Sequence, residues 1–300
     1  MLHRLVRFAV VVVGVSVVTF AILHASGDPV ALIMPDAADA DRADLRRTLG
    51  LDESLAVQFV RFVADVARGR FGESFYHRAP ALGLVVERMP ITLTLSVSAM
   101  ALALAASLPA GILSALRRGS PPDHAVTTLA FLGSSMPVFW TGIMLVLLFS
   151  VHWRLLPVSG WASWSAMVLP VLTLGVALIP VQLRIVRSSM LDVIGLDYVR
   201  TARAKGLPEH AVVWRHALRN AALPLVTVVG LQFGFLLGGA VIIETVFAIP
   251  GVGRLIVSAI GQLDFPVVQA GVFVLAMIVV TINFAVDLLY VALNPTIRIR

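Results

Sequence analysis

Asp197-Tyr198-Val199-Arg200-Thr201-Ala202-Arg203-Ala204-Lys205-Gly206-Leu207-Pro208 is the stretch of this 300-residue chain whose residue types best suit a specific task. Asp197 can cap a short helix, Arg203 and Lys205 fall near its end, Gly206 can close it in a left-handed conformation and Pro208 can begin the next helix. The order predicts a helix, a sharp turn and a second helix, with Glu209 in that helix's first turn and Arg215 and Arg219 farther along it. The chemistry on offer is contact, not bond-making. Ala202, Ala204 and Gly206 are small enough for backbone to approach another surface, and Arg200, Arg203 and Lys205 suit an acidic rim. From the residues alone two readings stand: a lever tip that takes up a partner's motion, or a well-capped basic loop that only fixes topology.

Catalytic chemistry finds little to use. The chain has no cysteine, which removes disulfides, thiolate metal sites and cysteine nucleophiles together. No Gly-x-x-x-x-Gly-Lys-Ser/Thr occurs, so ATP binding through a P-loop is not expected. Gly133-Ser134-Ser135 lacks the Gly-x-Ser-x-Gly elbow, and no span supplies an obvious histidine base. His210 and His216 are poorly spaced for one helical metal face. Neither a catalytic residue, a metal nor a cofactor is expected in this chain. Ionisable residues at membrane depth are functional candidates by default. Asp287 and Glu244 are the leading ones, Asp287 for the pathway, for pairing with a neighbouring helix or for approach to the interface near Tyr290, Glu244 for gating, for substrate contact or for capping the turn around Pro250 and Gly251.

The elements that position these residues are set by lipid. Hydrophobic residues make up 59% of the chain and charged residues 13%, with a mean hydropathy of +0.94; soluble domains carry roughly 25% charge. The apolar residues gather in long uncharged runs, which read as bilayer-spanning helices. Six candidates emerge, about Leu5 to Ala25, Ile91 to Leu116, Ala125 to Val151, Ala166 to Ile185, Ala221 to Ile243 and Val267 to Leu293. The first is longer than a typical signal-peptide core, ends without a clear small-x-small cleavage site and reads as an uncleaved anchor. The fold class is therefore an all-α integral membrane protein of six transmembrane helices.

Lysine and arginine are retained on the cytoplasmic side. Arg4 and Arg7 precede the first span, Arg117 and Arg118 follow the second, and Arg184 to Asn220 holds seven basic residues against three acidic. Gly27 to Pro90 carries ten acidic and eight basic residues. Both termini, the Arg117 loop and the Arg184 to Asn220 loop are expected to be cytoplasmic. The sequence pI near 10.9 then reflects topology, and no nucleic-acid partner is expected. Arg184 and Arg187 should snorkel to the cytoplasmic surface.

The first outside segment has structure of its own. Asp41 to Leu49 resembles a short helix with Gly50 at its C-cap, and Leu55, Phe59, Phe62, Val63 and Val66 recur at helical spacing between Ser54 and Arg68. Domain organisation follows: 1–26 an N-terminal transmembrane helix, 27–90 an extracytoplasmic segment with an amphipathic helix, and 91–300 a core of five spans with the basic loop at about 186–220. Pro109, Pro137, Pro170, Pro180 and Pro224 fall within spans and can kink them.

The stretch Asp197 to Leu207, followed by His216-Ala217-Leu218-Arg219-Asn220 and Leu223-Pro224, resembles the cytoplasmic EAA loop of ABC importer permeases in their dipeptide, oligopeptide and nickel branch. Arg200, Thr201 and Ala202 stand where the name-giving Glu-Ala-Ala would be, and Gly206 occupies the loop's glycine. The resemblance covers nearly the whole chain. It includes Gly27-Asp28-Pro29, Leu49-Gly50-Leu51, Phe71-Gly72-Glu73-Ser74, Ser135-Met136-Pro137-Val138-Phe139 and Arg187-Ser188-Ser189-Met190-Leu191. Between the last two spans it includes Glu244-Thr245-Val246-Phe247, Pro250-Gly251-Val252-Gly253 and Asp264-Phe265-Pro266. Asn294-Pro295-Thr296 departs from the family's usual Asp-Pro-Arg.

The long first outside segment is similar to that of the B-type subunit. The resemblance implies a multi-pass protein of the bacterial plasma membrane, paired with a C-type permease, two ABC ATPases that carry ATP and Mg, and an extracytoplasmic substrate-binding protein. It implies that Tyr198, Arg200, Thr201, Ala202, Arg203, Ala204, Lys205, Gly206 and Leu207 form the ATPase-coupling loop. Glu244, Phe247, Asp264 and Asp287 become candidates for the pathway or gate, with di- and oligopeptides as substrate and nickel or another small ligand as the alternative. A stand-alone channel or secondary transporter would call for inverted repeats or paired intramembrane charges, and neither is clear.

Overall fold

The computed structural model describes residues 12–21, 30, 38–48 and 52–293. Among them the structure is helical, with one isolated antiparallel bridge, Glu73 to Pro80, and no strand. The first helices are α1 (Val12–Ala21), α2 (Asp39–Thr48), α3 (Leu55–Ala67), α4 (Ala81–Leu116) and α5 (Pro121–Ser134). Next come α6 (Val138–Leu145, continued by a π-helical Val146–His152), α7 (Trp164–Ile194) and α8 (Asp197–Ala204). Glu209–Ala211, the π-helical Val212–Ala217 and Leu218–Ala221 follow one another and are together α9; α10 (Leu223–Val246), α11 (Val252–Gly261) and α12 (Phe265–Leu293) complete the order.

Four of these, α4, α7, α10 and α12, are long and apolar enough to cross a bilayer, and helices satisfy their backbone groups internally as lipid demands. The expected Leu5 to Ala25 span is described only over Val12–Ala21. The expected third span, Ala125 to Val151, is not one helix: α5 and α6 meet at a bend of 100° around Ser135 to Pro137. Pro137 has no backbone N–H to continue the helix and pushes Met136 out of the helical region. Together the two halves are apolar enough for one span, which would make five. By contrast Pro170 and Pro180 lie inside an unbroken α7, and Pro224 sits in the first turn of α10, where a missing donor costs nothing.

The chain divides into two compact units, 1–90 with 251–280, and 91–250 with 281–300. In the first, the ring of Phe20 on α1 meets Phe59 and Phe62 of α3 at 5.3 and 5.9 Å, so the amphipathic face foreseen for α3 has a partner. Phe71 packs on Phe273 of α12 at 5.3 Å. Gly271 lets α12 approach α11 so closely that a Cβ there would lie 2.5 Å from Ile256.

In the second unit, one apolar cluster joins Leu95, Ala99 and Ala103 of α4 to Leu169, Leu174 and Leu178 of α7 and to Leu236, Ala240 and Ile243 of α10. A second cluster joins Ile112 and Ala115 of α4 and Val186 and Met190 of α7 to α8 and α9. Two glycines bring α4 and α7 together. A Cβ on Gly175 would lie 2.8 Å from Leu102 Cδ2, and one on Gly111 would lie 2.8 Å from Val186 Cβ. Between the clusters runs a buried polar chain. Ser107 donates to Gln182 (2.9 Å), Gln182 donates to Gln232 (2.8 Å), and Gln232 donates to the Leu178 carbonyl (3.3 Å). Away from water, such amides join α4, α7 and α10 because each would otherwise be left unpaired.

Gly111→Ala must displace Val186 or the Leu183 carbonyl, and overpacking of this kind costs about 1–3 kcal/mol. Gly238→Ala on α10 meets nothing within 4 Å. Thermal denaturation in detergent should therefore show a clearly lowered Tm for the first substitution and no loss for the second.

Candidate functional site

The basic stretch forms the helix that its residues imply, with its start shifted. Leu196, not Asp197, is the N-cap, and Asp197 is the first helical residue, where its charge suits the positive end of the helix dipole. Arg203 lies in the last turn, at the negative end. At the C-terminus the Gly206 amide donates to the Arg203 carbonyl (2.9 Å) and the Leu207 amide to the Ala202 carbonyl (3.4 Å). These two bonds make a Schellman closure. Gly206 has φ +75°, a left-handed conformation that glycine adopts without penalty. Pro208 is the N-cap of α9 and not its first residue, and its carbonyl receives the amides of Ala211 and Val212.

Burial divides the helix into two faces. Val199 (0% exposed) and Ala202, one turn apart, are buried in the cluster formed with Ile112, Val186, Met190, Val212, Val213 and Ala217. Ala202 is thus part of the seat and not of the small-residue tip. Arg200, Arg203, Ala204, Lys205, Gly206 and Leu207 are exposed. Thr201 donates to the Asp197 carbonyl (2.8 Å), and the Tyr198 hydroxyl accepts a hydrogen bond from Asn220 Nδ2 (2.9 Å), which ties α8 to the end of α9.

Arg203 is also engaged. Its guanidinium donates twice to Glu209, at 3.1 and 2.6 Å, bridging the turn. That fork holds the Glu209 carboxyl below its ordinary range and raises the arginine. Arg200 makes only an exposed contact of 3.8 Å with Asp197. Arg200 and Lys205 are therefore the charges best placed to meet an acidic surface, on a frame stiffened by Tyr198, Arg203 and Gly206.

Near the end of α7, Arg187 is engaged. It turns to Asp123 of α5, donating at 2.8 Å to each carboxylate oxygen. Asp123 is buried, and Ser114 and the Gly119 amide also donate to it.

Of the pathway candidates, Glu244 and Phe247 belong to the second unit and Asp264 to the first. Glu244 is fully buried in the second unit, and Thr92 donates to it at 2.6 Å, while its backbone carbonyl receives the Ile249 amide at 2.8 Å. Phe247 is buried in the α4, α7 and α10 cluster, and its ring faces Gly142 so closely that a Cβ there would lie at 3.2 Å. Asp264, in the first unit, is buried and accepts hydrogen bonds from the Ser74 hydroxyl and the Phe75 amide, fixing the turn at residues 74–77. Asp287 lies on α12, but its side chain is outside the described residues, as are Gly27-Asp28-Pro29, Leu49-Gly50-Leu51 and Asn294-Pro295-Thr296. Gln182 and Gln232 were not singled out from sequence. An amide side chain within a long apolar run is the signal that would have found them.

Comparison with known proteins gives the following likenesses. Residues 107–299 match the family described as the binding-protein-dependent transport system inner membrane component, and residues 1–96 match its N-terminal component. The chain is 41% identical over 320 residues to the dipeptide transport system permease protein DppB of Escherichia coli K12, covering 95% of this chain and 94% of that one. It is 44% identical over 301 residues to the glutathione transport system permease protein GsiC of Salmonella paratyphi A, covering 100% and 98%. Among solved structures it is similar to the MetNI methionine ABC transporter in an inward-facing form, with a TM-score of 0.60, 20% identity, and coverage of 70% of this chain and 96% of that one. At that identity the likeness concerns the fold alone.

The Arg203–Glu209 pair stabilises the turn only while Glu209 is ionised. Its pKa is depressed, so the contribution is complete above the ordinary glutamate value of about 4.3 and is lost as pH falls through the lower folded value. Both side chains are partly exposed, which limits the effect to about 1 kcal/mol or less. Compared by thermal denaturation, wild type should exceed Glu209→Gln slightly at pH 7, and the gap should close as pH falls below 4.

Proposed function

The chain belongs to the family of binding-protein-dependent transport system inner membrane components, and from that premise we propose that it forms half of the translocation pathway of an ATP-driven importer of di- and oligopeptides. The observation that carries this reading is the likeness along nearly the whole chain to a dipeptide permease. The likeness to a glutathione permease supports the same class, since glutathione is itself a small peptide. In this reading the chain is a multi-pass plasma-membrane subunit with six spans, the described Val12–Ala21 helix belonging to the first and the α5–α6 pair to the third. Both termini and α8 lie on the cytoplasmic side, as the arginine distribution favours.

The partners are a C-type permease, two ABC ATPases that supply ATP, Mg and hydrolysis, and an extracytoplasmic binding protein. Membership of the family supports this set. In the same reading the chain is organised as an N-terminal transmembrane helix over 1–26, an extracytoplasmic segment over 27–90 and a permease core over 91–300.

In the coupling step, α8 sits in an ATPase groove with Arg200 and Lys205 toward its rim. Closure of the ATPases displaces α8. Because Val199 and Ala202 are packed against α7 and α9, and Tyr198 is tied to Asn220, α8 does not swing by itself. The displacement passes into α7 and through α9 into α10, a rigid-body change of the kind that switches transporters between inward-open and outward-open forms.

Purification from a native source should recover two ATPases and a second permease with this chain; isolation as a functional homo-oligomer would contradict the reading. Gly206→Leu meets open space but a backbone strained by about 1–2 kcal/mol. It should leave the subunits assembled while substrate-stimulated ATP hydrolysis is lost, and unchanged stimulation would mean that the loop does not transmit the stroke.

A further inference from the structure

α5 is held to the second unit in an unusual way. Asp123 is the only buried side chain among its described residues, and neither apolar cluster of the unit draws a residue from it. α5 lies along α7, and its one buried polar anchor is a carboxylate in its first turn, 3% exposed, used by three segments at once. From α7, Arg187 Nε donates to Oδ1 and Nη2 to Oδ2, each at 2.8 Å. From the end of α4, the Ser114 hydroxyl donates to Oδ1 and itself receives Arg187 Nε at 3.0 Å. From the connecting turn, the Gly119 amide donates to Oδ2 at 2.9 Å. A bidentate guanidinium–carboxylate pair fixes orientation as well as distance, which a sliding apolar contact does not.

Arg187 lies on the final turns of α7, directly before α8. Its neighbours Val186 and Met190 belong to the cluster that buries Val199 and Ala202. One short segment of α7 therefore faces the basic helix through apolar contact and α5 through the polar clamp. Beyond α5 the chain bends at Ser135 to Pro137 into α6, which packs against the α4, α7 and α10 cluster through Val138 and Leu145.

We propose that Asp123 and Arg187 are a positioning pair that makes α5, the first half of the broken span, follow the coupling helix, so that displacement of α8 reaches the α5–α6 bend through α7. The proposal rests on the reading of α8 as the ATPase contact. If α8 and α5 are parts of one body, their separation stays constant while the transporter cycles. If the clamp is what joins them, its loss frees α5 without disturbing the seat of α8.

The test uses the complete complex in liposomes with its binding protein and a dipeptide substrate, and this naturally cysteine-free chain labelled through Thr128→Cys on α5 and through Leu196→Cys at the exposed N-cap of α8. In wild type the spin-label distance should be the same with and without ATP, and hydrolysis should be stimulated by substrate. Asp123→Asn should keep basal hydrolysis near wild type, lower the stimulated-to-basal ratio about tenfold, within the range for changes along a coupled element, and make the label distance depend on nucleotide. Arg187→Lys, which keeps the charge but not the fork, should show the same defect and serves if Asp123→Asn does not assemble. The double variant Asp123→Asn/Arg187→Gln should be no worse than Asp123→Asn alone, because the two groups act as one unit. Full stimulation with an unchanged distance in either single variant, or additive losses in the double, would overturn the pair's role. Absence of stimulation in the assembled wild-type complex would instead overturn the reading of α8, and the pair's role with it.

Discussion

Burial of Val199 and Ala202 against the ends of α4 and α7 and along α9 is the contact from which the geometry of the basic loop follows. An eight-residue helix has little stability alone, because nucleation is costly and few hydrogen bonds repay it. The apolar seat supplies what local propensity cannot, and it also selects the face. With Val199 and Ala202 inward, Arg200, Ala204 and Lys205 point outward. The Schellman closure at Gly206 and the Arg203–Glu209 fork then turn the chain back so that α9 begins at once. A charged tip, a rigid frame and a connection into a membrane helix all follow from which two side chains are buried.

The membrane helices obey the same rule with different means. Between helices in lipid, apolar surface gives no special advantage, so close approach and paired polar groups decide the packing. Gly111 and Gly175 bring α4 and α7 to near contact, and Gly230 does so for α10 and α12 against Val286. The Ser107, Gln182 and Gln232 chain and the Thr92–Glu244 bond join the same helices within the second unit. In the first unit Asp264 plays the corresponding part for the turn that holds Ser74. Pairing of these groups rigidifies the bundle, which is what a rigid-body stroke requires.

Much of this was legible from the residues, and what was not has physical causes. Helices α2 and α3 were readable from caps and periodicity, to within two residues at their starts. α4 begins at Ala81, well before the apolar run at Ile91, because Glu87 and Arg88 lie off its buried side while Ala81, Val85 and Met89 pack inward; hydropathy sees the charges and misses the face. The break in the third span was hidden because Pro109, Pro170 and Pro180 look the same in sequence. Pro170 lies beside buried Leu169 and Leu174 in a continuous α7, whereas Phe131, Leu132 and Met136 near Pro137 are exposed. In the basic loop the glycine closure was local and therefore readable. The Tyr198–Asn220 and Asp123–Arg187 bonds join residues 22 and 64 positions apart, and pairing at that range depends on how the helices pack.

In the proposed coupling step a partner's motion enters this chain at the tip of α8. Since the chain has no cysteine of its own, Lys205→Cys gives a single reactive point at that tip. With the partner complex purified intact, a short cross-linker should join this position to an ATPase subunit, and the linked complex should lose substrate-stimulated hydrolysis. An assembled, active complex in which Lys205→Cys links to no ATPase, or links without loss of stimulation, would contradict the account.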